Sequence, residues 1–184
     1  GDEILSKVCR HIVSSCHIMV LGLLTGGKYM ALRNIRKEGD EILSKVCRPV
    51  EKFDEKLAIL LDDMMETMHE ANGVGLAAPQ VGILRRAVVV DVDDHPIELV
   101  NPQILEASGE QDGVEGCLSF PGQYGMVKRP MHVKIKAQDR TGKFFETEGD
   151  GLLARAFCHE IDHLDGIVFK THVSRMLTPE ELEQ

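Results

Sequence analysis

Gly151 to Gly166 reads GLLARAFCHEIDHLDG, and the pattern in this stretch decides where the rest of the chain must go. At helical spacing, Leu152, Ala156, His159 and His163 fall on one face, and Leu153, Phe157, Ile161 and Leu164 on another. A helix apolar on two sides belongs in the centre of a fold, buried. It is expected to run from about Gly151 to His163, with Gly166 ending the segment. His159 and His163 stand four apart and leave one face a turn apart, so two ring nitrogens can reach one ion at ~2.0–2.1 Å. Glu160 cannot share that direction fully and is placed to contact a water held by such an ion. Buried histidines need partners, and a metal supplies one. A satisfied pair of core or surface histidines has the same spacing, so HExxH by itself leaves both readings open.

A catalytic ion needs a third ligand from the protein. The extended zinc-protease pattern HExxHxxGxxH would put a histidine three residues after Gly166, where this chain has Phe169. A second protease class uses a glutamate further downstream, and Glu183 has that offset, but it is the penultimate residue with no helix beyond to hold it. Cys117, in Glu115-Gly116-Cys117-Leu118-Ser119, is the better candidate. Gly116 allows close backbone approach, and a thiolate with two imidazoles leaves the fourth tetrahedral position open for water. A lone cysteine is otherwise a small buried hydrophobe, which is the reading for Cys47 and Cys158. His11, His17, His69, His95, His132 and His172 are read as non-ligands.

The chain's 184 residues, 43% hydrophobic and 28% charged, fit one ordinary soluble globular domain. That length buries about two-thirds of the surface an unfolded chain exposes. A formal net charge of −9 argues against a general binder of nucleic acid or anionic membrane, which needs a basic face. No apolar run reaches the ~20 residues that span a bilayer. Cys9, Cys16, Cys47, Cys117 and Cys158 are odd in number and widely spaced, unlike a disulfide framework. Free thiols fit a reducing compartment, the cytosol or an organelle matrix, and the expected location is the cytoplasm.

Gly1 to Arg10 reads GDEILSKVCR, and Gly39 to Arg48 repeats it. A structural repeat would extend over ~20 or more residues and recur, whereas this one stops at His11 and Pro49. Met30 looks like a natural start. Residues 1–29 are therefore expected to be a non-native extension, and residues 30–184 a single catalytic domain. The rival is a targeting segment, since Ile12 to Leu24 is mostly apolar and follows Lys7 and Arg10.

Asp54 to Asn72 predicts an amphipathic helix, with Leu57, Leu60, Leu61, Met64, Met65 and Met68 at three- and four-residue steps. Asp54 caps its start and Gly73 ends it. A loop with Gly73, Gly75 and Pro79 follows. Arg86 to Val92 predicts a strand, Asp93-Asp94-His95-Pro96 a turn, and Ile97 to Leu105 and Val133 to Ala137 further strands. Arg140-Thr141-Gly142-Lys143 suits a hairpin turn into Phe144 to Thr147. Helix, strands, helix make an α+β fold: mainly antiparallel sheets around a central metal-binding HExxH helix, with an N-terminal amphipathic helix.

Three segments, in order and spacing, resemble the peptide deformylase family. Gly73 to Gln80, GVGLAAPQ, resembles the motif GxGxAAxQ; Glu115 to Ser119 is similar to EGCLS; His159 to Gly166 resembles HExDHLxG. The resemblance covers nearly all of residues 30–184. It implies removal of the N-formyl group from the N-terminal Met of newly made polypeptides. It implies metal ligands Cys117, His159 and His163, Glu160 as general base and acid, and oxyanion donors at the Gln80 amide and the Leu118 N–H, with Gly75 of the first motif beside them. The implied ion is Fe2+ in cells, with Zn2+, Ni2+ or Co2+ able to take its place. Implied partners are N-formylmethionyl nascent peptides and, for some members, the ribosome. Only 18 residues follow Gly166, which argues against the long C-terminal helix some members dock with. By analogy Glu115 pairs with Arg129 and Asp162 orients a ligand. Tyr124 stands where some members carry Arg, and Arg155 where others carry an apolar pocket residue. Val74, Leu152 and Ala156 would accept the Met side chain. A metallopeptidase, or a structural or non-catalytic metal-binding relative, is the rival reading.

Overall fold

Ala87 to Val92 is apolar at successive positions because both of its faces are covered. The computed structural model describes residues 31–182, so the expected extension over residues 1–29 lies outside the described residues. Ala87–Val92 is strand β2, paired antiparallel with β1, Gly75–Ala77, on one side and β3, His95–Ser108, on the other. Strands β6, His132–Gln138, and β7, Phe144–Asp150, complete a five-stranded antiparallel sheet in the order β1-β2-β3-β6-β7. A second, three-stranded antiparallel sheet holds β4, Gln111–Cys117, β5, Phe120–Arg129, and β8, Val173–Met176, in the order β4-β5-β8.

Alternation along β2 divides the core. Val88 and Val90 pack with Val133, Ile135, Phe157, Ile161 and Leu164 beneath helix α2, Gly151–Leu164. Ala87 and Val89 pack on the opposite face with Leu57, Leu60, Leu61, Met64 and Met68 of helix α1, Glu55–Glu70. Both sides of the sheet are therefore dry, which is why β2 reads as a continuous apolar run. Helix α2 is buried without interruption from Ala154 to Ile161. Its Phe157 faces the five-stranded sheet, while Arg155 reaches Val127 of the three-stranded one. Full burial of one such apolar side chain stabilises by about 1.5–3 kcal/mol.

Several boundaries differ from the sequence reading, each for a local reason. Asp54 does cap α1, accepting from Leu57 N at 3.1 Å. The helix is closed, however, by Ala71 and by Asn72 at φ +54°, ahead of Gly73. Gly73 is small for another purpose: a Cβ there would lie 2.7 Å from Leu118 Cδ1. Gly75 to Ala77, expected in a loop, is β1. The turn after β2 is confined to Asp93 and Asp94, both left-handed at φ +56° and +60°, and His95 and Pro96 already pair with Val92 and Asp91. Strands β4, β5 and β8 had no counterpart in the sequence reading.

Candidate metal centre

The three candidate ligands come from two elements. His159 and His163 leave α2 one turn apart, and their rings meet edge to face with centroids 5.0 Å apart. Cys117 ends β4, where the pairing with β5 shifts register between Gly116 and Cys117. Such irregularities re-aim a side chain. Cys117 Sγ lies 3.3 Å from His163 Nε2, and one donor atom from each of Cys117, His159 and His163 falls within 4.8 Å of the others. Tetrahedral coordination at ordinary metal–sulfur and metal–nitrogen lengths separates such donors by ~3.5 Å. The residues present therefore fit a divalent ion in number, donor type and spacing.

Glu115 orients this group. It is 4% exposed, and its Oε2 faces His159 Nδ1 at 3.0 Å, which leaves Nε2 of that ring for the ligand side. Arg129 donates to both carboxylate oxygens, Nε to Oε1 at 2.8 Å and Nη2 to Oε2 at 3.1 Å. Arg155 Nη1 adds a bond to Oε1 at 3.0 Å. Burial pushes the Glu115 carboxyl up, but His159 and Arg129 outweigh it and hold it at about 2. Burial lowers the His159 imidazole, yet Cys117, Glu115 and Glu160 raise it to about 10. His163 is pushed down to about 3, by burial first and then by the charges of His159 and Arg129.

The remaining predicted site residues surround these three. Gln80 is 1% exposed and fixed at both ends of its amide. Its Oε1 accepts from Ala77 N at 2.9 Å, and its Nε2 donates to Ser119 Oγ at 3.1 Å and Cys117 Sγ at 3.5 Å. Glu160 is buried with Oε2 lacking a hydrogen-bond partner, and burial pushes its carboxyl up to about 7. It lies against Gly75, where a Cβ would come within 2.7 Å of Glu160 Cγ. Leu118 follows Cys117 in the turn to β5, and Lys37 Nζ donates to its carbonyl at 2.6 Å.

One sequence expectation changes, and two residues noted as departures from the family pattern gain a place. Asp162 does not touch either histidine of the group; it accepts from Arg129 Nη1 at 2.7 Å and faces His172 Nε2 at 3.2 Å, so Glu115 has the orienting contact. Arg155, standing where other members carry an apolar residue, is buried against Glu115 and Val127 O. Tyr124 lays its ring over Gly116, where a Cβ would sit 2.6 Å from Cε1. Val74 and Leu152 are exposed and Ala156 is buried. Ser119, Lys37 and Phe169 were not singled out as site residues. Phe169, seen only as the histidine that was missing, stacks on His159 with centroids 6.1 Å apart. Ser119 stood in the quoted EGCLS segment and was readable there; Lys37 carried no local signal.

Residues 32–178 match the family model described as polypeptide deformylase. The peptide deformylase of Caldicellulosiruptor bescii is 60% identical over 155 residues, spanning 84% of this chain and 93% of that protein. The crystal structure of a peptide deformylase from Legionella pneumophila superposes with a TM-score of 0.75 at 46% identity, covering 83% of this chain and 90% of that one. A Met-Ala-Ser-bound structure of a class I type b peptide deformylase from Acinetobacter baumannii gives a TM-score of 0.76 at 37% identity, covering 79% and 100%.

Proposed function

Because this chain belongs to the polypeptide deformylase family, we propose that it removes the N-formyl group from new polypeptides with a divalent metal held by Cys117, His159 and His163. The observation that carries the reading is the convergence of those three donors within 4.8 Å. A bound ion supplies a Lewis acid that makes a neighbouring water acidic enough to ionise near neutral pH.

The chain's own residues do the rest. Glu160, with an unpartnered buried oxygen, takes the proton as the water oxygen bonds to the formyl carbon. It returns that proton to the amine nitrogen as the C–N bond breaks and formate leaves; acid–base work of this kind is worth ~10²–10⁴-fold. The Gln80 amide and the Leu118 N–H are the donors for the developing oxyanion, each worth about 2.7–4 kcal/mol. Gln80 is held for this by Ala77 and Ser119 and cannot swing away. Gly75 leaves the space that Glu160 occupies. A thiolate among the ligands suits a softer ion, so Fe2+ is the proposed metal in cells, with Zn2+, Ni2+ or Co2+ as substitutes. The exposed apolar side chains of Val74 and Leu152, with Ala156, are proposed to take the Met side chain of an N-formylmethionyl nascent peptide. That chemistry belongs in the cytoplasm, and residues 30–184 form its single catalytic domain. Among the described residues no helix is long and apolar enough to cross a membrane.

The test is formate release from a formyl-Met dipeptide beside its unformylated counterpart, with bound metal measured after anaerobic purification. Formate from the first and no cleavage of the second is expected. Glu160→Ala should keep its metal and lose at least ~10²-fold in kcat; Cys117→Ala should lose the metal. Cleavage of the unformylated peptide would instead indicate a peptidase.

A further inference from the structure

We infer that Arg155 is a positioning residue for His159, acting through Glu115; the inference rests on the metal-site reading above. A carboxylate has about four acceptor positions, and those of Glu115 are all taken. Oε1 accepts from Arg129 Nε and Arg155 Nη1, and Oε2 meets Arg129 Nη2 and His159 Nδ1. The orientation of the His159 ring is therefore set by a carboxylate that two arginines hold.

Arg129 alone cannot provide this. Its Nη1 bonds Asp162 Oδ2 at 2.7 Å, so one guanidinium is shared between two carboxylates. Arg155 is the second cation that balances the second anion. It is a costly one to keep: the residue is 6% exposed, and its Nη2 is buried without a hydrogen-bond partner. Burying a cation with an unspent donor is unfavourable unless its partner needs the charge. The backbone is shaped around it as well. A Cβ on Gly113 of β4 would come within 2.9 Å of Arg155 Nη2, so the glycine leaves room for the guanidinium two residues before Glu115. Arg155 Nη1 is also tied to Val127 O at 2.9 Å, which fixes the fork against β5. Strand β4, strand β5 and helix α2 thus meet at Arg155, one hydrogen bond from the carboxylate that holds a ligand.

The experiment uses Co2+-loaded full-length protein in four forms: unsubstituted, Arg155→Leu, Arg155→Lys and Gly113→Ala. Three quantities are read: Co2+ affinity by chelator competition, the cobalt absorption bands, and kcat and KM for a formyl-Met tripeptide. Arg155→Leu should weaken Co2+ binding about ten-fold, the lower end of what losing a partner of a metal ligand costs. It should also shift the ligand-field bands and lower kcat with KM unchanged. Arg155→Lys, which keeps the charge, should recover part of the affinity. Gly113→Ala retains Arg155 but pushes its guanidinium aside, and should move the bands in the same direction as Arg155→Leu. Unchanged affinity and bands in Arg155→Leu overturn the inference, and a raised KM alone would place Arg155 at the substrate instead. If Arg155→Leu does not fold, Gly113→Ala decides, and an unshifted spectrum there overturns it. Failure of the underlying reading looks different: the unsubstituted protein would lack thiolate-to-cobalt absorption, and the role of Arg155 would fall with the site.

Discussion

A Cβ on Gly75 would lie 2.7 Å from Glu160 Cγ, with the Glu160 carboxylate also in its path. The backbone of β1 cannot retreat, because it is paired with β2 from Gly75 to Ala77. Glu160 must therefore move, and a shift of ~1 Å in a reacting group can cost about 10²-fold in rate. Gly75→Ala should lose activity on that scale while binding metal normally, as steady-state kinetics and metal analysis of the same sample will show. Normal turnover in that variant would separate Glu160 from the chemistry. A second residue-level expectation concerns Cys47, which is 4% exposed. Burial pushes its thiol up to about 11. Alkylation needs the thiolate, so iodoacetamide at pH 8 should label Cys47 only after urea unfolding, read by peptide mass spectrometry. A raised thiol is protonated in the fold. Its contribution to stability is complete below the ordinary thiol range and is lost as pH rises through about 11.

Among the elements, α2 carries the most. Phe157 is fully buried between it and the five-stranded sheet. Phe157→Ala should cost about 3–5 kcal/mol, measurable by urea unfolding; a loss under ~1 kcal/mol would mean the helix is held from elsewhere. This helix was legible because its apolar residues recur on two faces, and α1 because they recur on one. β2 was legible as an unbroken apolar run. Strands β4 and β5 were not. Gly113, Gly116, Gly122 and Gly125 interrupt their alternation, and Glu115 and Arg129 turn inward to meet each other where apolar side chains would be expected. The site divides in the same way. His159, Glu160 and His163 are visible from spacing within one helix. Cys117 became a candidate by elimination and by resemblance. The contact that orients the candidate ligand His159 was not visible, because Glu115 and His159 stand 44 residues apart and meet only once the strand and helix pack. Asp162 departs from expectation for that reason: its nearest histidine in sequence is His163, but its partners in space are Arg129 and His172.

For the molecule as a whole, the proposed ion would join α2 to the end of the three-stranded sheet, because its ligands come from both. An ion that binds only the folded state adds about 2.7 kcal/mol at a hundred times its Kd. For a protein of this length that is a change in Tm of roughly 5–10 °C. Chelation should lower the thermal midpoint by that amount, and identical midpoints with and without chelator would mean that no ion bridges the two elements. The order of elements along the chain has a consequence for biogenesis. Strands β1 to β7 all precede α2, so the face carrying Val88, Val90, Val133 and Ile135 is synthesised before the helix that covers it. That exposed sheet is a natural client for chaperones at the ribosome exit. The proposed ligand set is completed just as late: Cys117 is synthesised well before His159 and His163, so a growing copy can hold the proposed ion only once α2 has emerged.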